Sequence, residues 1–298
     1  MNLHLDNINL GSDSGPNSFA NKLVKYLLMD KCSITNPQIS DAVLCFIETS
    51  KKSFKIPMFQ RLDGIYFNTL QDYNSQNKNI KRTYDMAHGV IFQSNFNRDL
   101  TFKYFGECEN YQIIHNGADL LRIQEIEPLK FDRYENLWCC ASSWRPHKRL
   151  DENIRYFLEH AGPNDGLMIA GKVPSHQKIK NDKIHYVGTL NQKQLFALYK
   201  KARYFIHLAW LDHCPNVVVD ARACGCQIIC SSAGGTKEIA GKDAIVILED
   251  EWNYEPVALY SPPKMNFDNK VYSGTESDVN MSSVAEKYKN FIMESIYA

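Results

Sequence analysis

The sequence predicts an α/β protein with two doubly wound parallel-sheet domains. Length, the spacing of apolar runs and the repetition of one pattern in both halves lead to this fold class. At 298 residues with 44% hydrophobic content, the chain is long enough for two ordinary domains. Apolar runs of four to six residues without polar alternation are typical of strands buried on both faces, and such strands alternating with helices form parallel sheets.

The second half shows the alternation most clearly. Leu150, Ile154 and Phe157 fall on one helical face, Asn191 is a suitable helix N-cap, and Gly162 is a suitable helix end. The predicted strands of this half are 137–141, 167–170, 184–187, 204–208, 227–230 and 244–248.

The first half repeats the pattern less regularly. Phe19, Leu23 and Tyr26 share the face of one predicted helix. Residues 68–81 are rich in Asn and Gln, which favours a surface excursion over core. The predicted strands of this half are 42–47, 89–92 and 112–114.

Composition shifts give the expected domain boundaries. A polar stretch from Asp119 to Glu135 separates the two halves, and Ser283 with Glu286 forms a capping-box pattern that opens a last helix. We therefore expect a first domain at 1–120, a linker at 121–134, a second domain at 135–281 and a terminal helix at 282–298.

Bulk properties exclude several classes of function. Basic and acidic residues are balanced at 34 each, so neither a nucleic-acid groove nor a polybasic membrane patch is expected. The nine cysteines show no Cys-x-x-Cys spacing, and no apolar stretch of 18 residues exists. The sequence starts without a basic region followed by an apolar run. We expect a cytoplasmic protein with reduced thiols and at most peripheral membrane contact.

The segment LDHCPNVVVDARACG is the richest candidate for a ligand site. It passes from a predicted strand into a helix that should begin at Pro215 or Asn216, where free backbone N–H groups and the helix dipole attract phosphate. Asp212 and Asp220 lie eight residues apart and could both accept hydrogen bonds from hydroxyls of one ligand. The alternative is that Asp212 is an N-cap and Asp220 a solvated helix residue.

A second loop, SSWRPHKRL, also follows a predicted strand. Its Arg145 and Lys148 could neutralise a diphosphate leaving group, Arg by a bidentate fork and Lys as a point charge. Loss of such a group slows chemistry by about 100-fold or more. The alternative is that both cations are merely solvated beside a helix start.

Glycine-rich turns offer weaker signals. Gly234 and Gly235 in SSAGGTKEIAG permit close backbone approach, and Gly11 with Gly15 in GSDSGPNSF forms another possible phosphate-facing turn. The latter lacks the glycine spacing of the dinucleotide fingerprint.

A cluster of possible metal ligands lacks any known zinc spacing, so we expect free thiols and no metal. Neither a Gly-x-Ser-x-Gly elbow, a Walker loop nor a His-Glu-x-x-His motif occurs, which removes the commoner hydrolase and NTPase interpretations. The cluster comprises His213, Cys214, Cys224, Cys226 and Cys230.

Eight segments in order form a joint pattern that is far more specific than any one of them. They are GSDSGPNSF, FQRLDGIYFN, GVIFQSNFNRDL, IIHNGAD, SSWRPHKRL, HYVGTL, LDHCPNVVVDARACG and SSAGGTKE. Together they resemble the retaining glycosyltransferases of family four, from Leu10 to about Leu248. The resemblance implies the GT-B fold, in which two Rossmann-like doubly wound domains face a cleft and the terminal helix crosses back onto the first domain.

The resemblance also implies roles for individual residues. Arg145 and Lys148 would hold the donor diphosphate. Asp212 would contact the transferred sugar and Asp220 the ribose, although both are glutamates in the family and are one methylene shorter here. The remaining donor contacts would come from Gly15, Tyr186, Gly188, Cys214, Pro215, Asn216 and Val217.

The implied reaction is transfer from a nucleoside-diphosphate sugar, of UDP or GDP type, to a glycan, a lipid-linked acceptor or a small molecule. The enzyme would be a retaining hexosyl- or pentosyltransferase without metal, cofactor or protein nucleophile. Arg61, Asp63 and Asp13 are hypothetical acceptor-side residues, with structural roles as the alternative. Two other functions stay open: a nucleotide-sugar 2-epimerase of the same fold, and a non-catalytic nucleotide-sugar-binding protein.

Overall fold

A computed structural model describes residues 1–12, 15–271 and 274–297, so Asp13 lies outside the described residues. The chain divides into two compact units. The first comprises Met1–Ala118, Tyr254–Val257 and Asn280–Ala298, and the second comprises Asp119–Asn253 and Ala258–Val279.

The first unit is a six-stranded parallel sheet with the strand order β2-β1-β3-β4-β5-β6. The chain changes direction across the sheet between β1 and β3. The strands are β1 Asn2–Asp6, β2 Ser33–Ile34, β3 Ala42–Phe46, β4 Met58–Leu62, β5 Gly89–Phe92 and β6 Tyr111–Ile113; the helices are α1 Gly15–Met29, α2 Tyr73–Met86 and α3 Asn95–Phe105.

The last helix of the chain, Met281–Tyr297, also packs in the first unit; as the eighth in chain order it is α8. Its Tyr288 and Ile292 lie in one apolar core with Phe19 and Leu23 of α1. With Ser283 as N-cap, the predicted capping box would start the helix three residues too late, because the helix begins at Met281 and the Asn280 side chain accepts the Ser282 N–H at 3.0 Å.

Residues 68–81 are largely exposed, in line with the predicted surface excursion, but much of the segment is helical because α2 occupies it. Asp72 caps the helix by accepting the Ser75 N–H at 3.1 Å. The buried Asn77 amide donates to the Tyr66 carbonyl at 2.6 Å and accepts the Tyr66 N–H at 2.8 Å. Amide side chains thus form tertiary hydrogen bonds, and these leave no trace in the spacing of apolar residues.

The second unit is a seven-stranded sheet with the order β13-β12-β11-β10-β7-β8-β9, parallel except for β13. The short helix α4, Leu120–Gln124, lies in the stretch predicted as a linker. The remaining elements are β7 Asn136–Ala141, α5 Leu150–His160, β8 Asp165–Ala170, β9 Ile184–Gly188, α6 Gln192–Lys201, β10 Tyr204–His207, α7 Asn216–Ala223, β11 Gln227–Ser231, β12 Ile245–Ile247 and β13 Lys270–Val271.

The strands predicted for this half are confirmed to within about two residues, because their uninterrupted apolar runs form a core against α5. From β7 the chain progresses to β8 and β9, then returns to the other side of β7 and progresses through β10, β11 and β12. The chain therefore reverses between β7 and β10, and ligands of doubly wound sheets bind at the carboxyl ends of the strands at such a point. Among the described helices, none is long and apolar enough to cross a bilayer.

Candidate functional site

The loop after β7 carries the predicted basic residues and is held rigidly. It passes through a 3-10 turn at Pro146–Lys148 and then places Arg149 in the left-handed region, with φ 50° and ψ 55°. The Asn153 amide donates to the carbonyls of Lys148 at 3.1 Å and Arg149 at 2.6 Å. Asn153 also accepts the N–H of Leu208, just after β10, at 3.3 Å, so one side chain joins two strand ends.

The three cations of this loop have three different environments. Arg145 is exposed, Lys148 is partly buried, and Arg149 is buried. In the described part of the chain, the Arg145 guanidinium forms neither a hydrogen bond nor an ion pair, so it is available to a ligand. Only Arg145 and Lys148 were predicted as site residues, and the structure gives Arg149 a distinct structural role.

Arg149 forms a bidentate ion pair with Glu249. Its Nη1 donates to Oε1 at 2.8 Å and its Nη2 to Oε2 at 2.7 Å, while Nη2 also donates to the Pro263 carbonyl at 3.0 Å. The Ser231 hydroxyl makes a short hydrogen bond to Glu249. Because Arg149 and Glu249 are 100 residues apart, no local motif could reveal this pair.

The Asp212 carboxylate lies at the end of β10 and receives three hydrogen bonds. Its Oδ2 accepts from the Lys148 ammonium at 2.5 Å and from His207 Nε2 at 2.9 Å, and its Oδ1 accepts from the His213 N–H at 3.1 Å. The structure thus brings together two of the predicted catalytic residues. The helix N-cap is Pro215, so the alternative role of Asp212 as N-cap is wrong.

Burial and charge have opposing effects at this cluster. Burial raises the pKa of Asp212, but the Lys148 ammonium and the His207 hydrogen bond overcome it and hold that pKa well below its ordinary value. Burial lowers the pKa of His207 despite its hydrogen bond to Asp212. Burial likewise lowers the pKa of His147 to about 3 and that of His213 to about 4. We therefore assign an ionised carboxylate surrounded by neutral imidazoles at neutral pH.

The Gly-Gly turn after β11 supports the backbone of Asp212. Gly234 has φ +99° and forms a bridge with Asp212, and the Gly235 N–H donates to the Asp212 carbonyl at 2.7 Å. A Cβ at Gly234 would lie 2.6 Å from that carbonyl oxygen. The close approach predicted for this turn is therefore to protein backbone at Gly234.

The helix α7 starts at Asn216, as predicted, with no side-chain cap from Pro215 and no acidic residue in its first turn. The positive end of its dipole is thus not offset by an acidic side chain of its own first turn. Cys214 is buried directly before this start, whereas Val217 is only partly buried. Asp220 lies in the second turn.

The contacts of Asp220 place it towards α6 and the end of its own helix. It interacts electrostatically with Tyr199 and Cys224. Asp212 and Asp220 therefore differ in surroundings as well as in position.

The other predicted donor contacts lie at strand and helix ends. Tyr186 in β9 accepts the Ile179 N–H through its hydroxyl at 2.8 Å. Gly188 ends β9 with φ +72°, and its carbonyl accepts the Gly171 N–H at 2.8 Å. Gly15 begins α1 in the first unit and is exposed.

Two of the hypothetical acceptor-side residues form a buried cluster in the first unit. Arg61 is 1% exposed, donates to the Tyr288 hydroxyl at 3.1 Å and to Asn116 at 2.9 Å, and lies over the Phe19 ring at 3.9 Å. It also forms an ion pair with Asp63. These contacts give Arg61 a structural role that joins β4 to α1 and α8.

The possible metal ligands do not form a cluster of three or more His, Cys, Asp or Glu side chains among residues 1–12, 15–271 and 274–297. Cys226 and Cys230 are buried free thiols, and Cys224 is partly buried. Burial raises the pKa of both Cys224 and Cys230 to about 12.

Part of the chain matches the model of a known protein family. Residues 122–258 match the family model described as Glycosyl transferases group 1. No curated protein sequence matches the chain. The resemblance predicted from the motifs is confirmed at the level of this family.

Solved structures match nearly the whole chain. Sucrose-phosphate synthase from Thermosynechococcus elongatus has a TM-score of 0.66 at 10% identity, covering 99% of this chain and 98% of its own. AviGT4, a glycosyltransferase involved in avilamycin A biosynthesis, has a TM-score of 0.63 at 13% identity, covering 100% and 99%. HepE from Anabaena, in complex with UDP and glucose, has 0.59 at 14% identity, covering 99% and 91%. The predicted GT-B fold is confirmed.

Proposed function

We propose that this protein transfers a sugar from a nucleoside-diphosphate sugar to an acceptor with retention of anomeric configuration, a proposal supported by the match of residues 122–258 to the family model of the glycosyl transferases group 1. The donor binds to the second unit. Arg145 and Lys148 hold its diphosphate together with the start of α7.

One observation carries the proposal: the cationic loop and the phosphate-attracting helix start adjoin the same sheet edge. β7 pairs with β10 in parallel, so their carboxyl ends lie side by side. The loop after β7 supplies Arg145 and Lys148, and the loop after β10 leads into α7. This is also where the strand order reverses, the usual ligand position in a doubly wound sheet.

The chemistry follows from the charges. As the bond between sugar and diphosphate breaks, negative charge grows on the departing phosphate, and fixed cations stabilise it. The acceptor hydroxyl attacks from the face that the diphosphate leaves, and that phosphate takes up the hydroxyl proton. No protein nucleophile is assigned. Asp220 binds the ribose, and Tyr186 with Gly188 lies near the base.

The first experiment is a thermal-shift screen against UDP, GDP and ADP and their glucose, mannose and N-acetylglucosamine conjugates, with EDTA present. At a ligand concentration of 100 times the dissociation constant, linkage predicts stabilisation by about 2.7 kcal/mol. UDP is the first candidate because HepE was crystallised with UDP and glucose. A shift with one nucleotide family identifies the donor class. Absence of a shift with all of them contradicts the proposed donor site.

Lys148→Ala tests the assigned catalytic role, with Lys183→Ala as a matched control. Lys183 is also partly buried and donates to a backbone carbonyl, that of Gly162, at 3.1 Å, but it lies at the start of β9. We expect Lys148→Ala to slow release of nucleoside diphosphate by about 100-fold or more. Lys183→Ala should retain activity. Equal activity in both folded variants would remove Lys148 from the mechanism.

Product analysis separates the remaining functions. NMR of the anomeric proton in the product reports retention or inversion. A 2-epimerase would convert the nucleotide sugar without any acceptor. A non-catalytic binding protein would bind the nucleotide sugar and release no nucleoside diphosphate with any acceptor.

A further inference from the structure

His207, the last residue of β10, is a polar side chain placed in the core of the second unit. It is 4% exposed, and its ring stacks near Phe205 with centroids 6.3 Å apart. Burial of a polar ring is unfavourable unless the ring is hydrogen-bonded. The Asp212 carboxylate supplies that partner, with His207 Nε2 2.9 Å from Asp212 Oδ2.

The carboxylate can only accept hydrogen bonds when it is ionised, so the His207 ring must donate through Nε2–H. The same Oδ2 atom receives the Lys148 ammonium at 2.5 Å. The other oxygen, Oδ1, accepts the N–H of His213 at 3.1 Å. Both carboxylate oxygens are therefore committed to protein donors.

We propose that His207 is a positioning residue for the donor site: through Asp212 it fixes the Lys148 ammonium where the donor diphosphate binds. Asp212 then acts by holding Lys148 rather than by contacting the transferred sugar. This inference rests on the proposed function, because that function supplies the diphosphate that Lys148 binds.

The short side chain of Asp212 suits this arrangement. Its carboxyl group stays close to the backbone that Gly234 and Gly235 support, and it reaches inward to His207. The hydrogen bond to the buried His207 ring restricts rotation of the carboxylate, and this in turn restricts the ammonium bound to it. Pre-ordering a charged group before the ligand arrives increases affinity because less entropy is lost on binding.

The charged and titratable groups that face His207 are Asp212 from its own loop, and Lys148 and His147 from the loop after β7. Burial lowers the pKa of His207 below its ordinary value, with Lys148 acting in the same direction and Asp212 against it. The ring is thus neutral at pH 7.5, and its one N–H is the one used on Asp212.

The experiment compares His207→Leu, which cannot donate a hydrogen bond, with His207→Gln, which can. Ile206→Val on the same strand is the control for core destabilisation. Binding of inorganic pyrophosphate and of UDP, GDP and ADP is measured by calorimetry at pH 7.5. We expect His207→Leu to weaken binding about ten-fold, which corresponds to about 1.4 kcal/mol. We expect His207→Gln to stay within about three-fold of the unsubstituted protein, and Ile206→Val to be unchanged.

The inference is overturned if folded His207→Leu binds pyrophosphate and nucleotide as tightly as the unsubstituted protein, or if His207→Gln binds as weakly as His207→Leu. A purely structural histidine would lower thermal stability without separating these two variants in affinity.

A measurement without ligand keeps this inference distinct from the proposed function. Nitrogen-15 NMR of the histidine rings should show His207 as the Nε2–H tautomer, and Asp212→Asn should change its signal. If that holds while neither pyrophosphate nor any nucleotide binds the unsubstituted protein, the proposed function fails although the anchor exists. If the tautomer is Nδ1–H, the positioning role fails whatever binds.

Discussion

Arg149→Met is the sharpest test of how the basic loop is built. The substitution leaves the Glu249 carboxylate, whose side chain is only 8% exposed, without its cation. Two charge-assisted hydrogen bonds of 2.8 and 2.7 Å are lost with it. Removing one partner of a buried ion pair costs about 3–5 kcal/mol, because the remaining charge stays buried and uncompensated.

That cost translates into a large thermal shift. For 150–250 residues, 1 kcal/mol corresponds to about 2–4 °C in Tm, so Arg149→Met should lower the Tm of the second unit by roughly 6–20 °C. Urea unfolding followed by tryptophan fluorescence measures the free energy directly. Trp210 is a local reporter, since the Arg149 guanidinium lies 5.9 Å from its ring centroid.

A double variant and a surface control complete the test. Arg149→Met combined with Glu249→Leu removes both charges and should recover most of the loss. Lys201→Met breaks an ion pair to Asp132, whose side chain is 88% exposed, and should change stability little. The reasoning is refuted if Arg149→Met lies within about 1 kcal/mol of the unsubstituted protein, or if the double variant is no more stable than the single one.

Further expected outcomes concern the same unit. Gly234→Ala should lower the free energy of unfolding by about 1–3 kcal/mol, because φ is +99° and the new Cβ would lie 2.6 Å from the Asp212 carbonyl oxygen; Gly188→Ala, with φ +72° and open space, should cost less in the same urea titration. Arg145→Ala should weaken pyrophosphate binding in calorimetry while leaving Tm unchanged, since its side chain is exposed; a lower Tm with unchanged binding would contradict the assigned role. Acid should destabilise the fold as pH falls from about 6.5 towards 3. In the folded protein, burial lowers the pKa of His147 to about 3 and that of His213 to about 4. The unfolded chain therefore takes up protons on both histidines at a higher pH than the folded chain does. His213→Gln should flatten this dependence by at most about 3 kcal/mol, and an unchanged curve of stability against pH would refute the assignment.

Much of the fold could be predicted from the sequence because its strands are uninterrupted apolar runs. The exceptions carry polar side chains with distant partners. Strand β4 was not predicted: it contains Gln60 and Arg61, both buried, and Gln60 donates to the Ile47 carbonyl at 2.6 Å. Helix α2 was missed for the same reason, since Asn77 is buried through hydrogen bonds to Tyr66. A hydrophobic pattern reveals segments that are buried because their side chains are apolar. It does not reveal polar side chains that are buried because they are hydrogen-bonded.

The sequence indicates which loops form the candidate site. It does not indicate which side chains of those loops pair with one another. Strand-to-helix loops with Lys148 and Asp212 were predicted to face one ligand, and the structure joins these two side chains directly. Neither His207 nor Glu249 stands out in the sequence as a site residue. His207 contacts Asp212 within its own loop. Lys148 and Asp212, like Arg149 and Glu249, come from two loops, so the signal for the first of these pairs is the sheet order, which brings β7 beside β10, and not any spacing in the sequence.

The pairings decide how much positive charge the loop offers a ligand. Arg149 is neutralised by Glu249, and Lys148 shares its charge with Asp212. With neutral imidazoles, Arg145 is the one cation of this loop that has no counter-ion among the residues that the structure describes. A diphosphate would therefore share the Lys148 ammonium with Asp212, and the start of α7 would supply further hydrogen bonds. Binding should consequently depend on salt mainly through Arg145, which is exposed to screening, and depend little on salt through Lys148, which is shielded. Comparing the salt dependence of pyrophosphate binding for Arg145→Ala and Lys148→Ala separates the two contributions, and equal slopes would show that the internal pairing does not govern the charge of this loop.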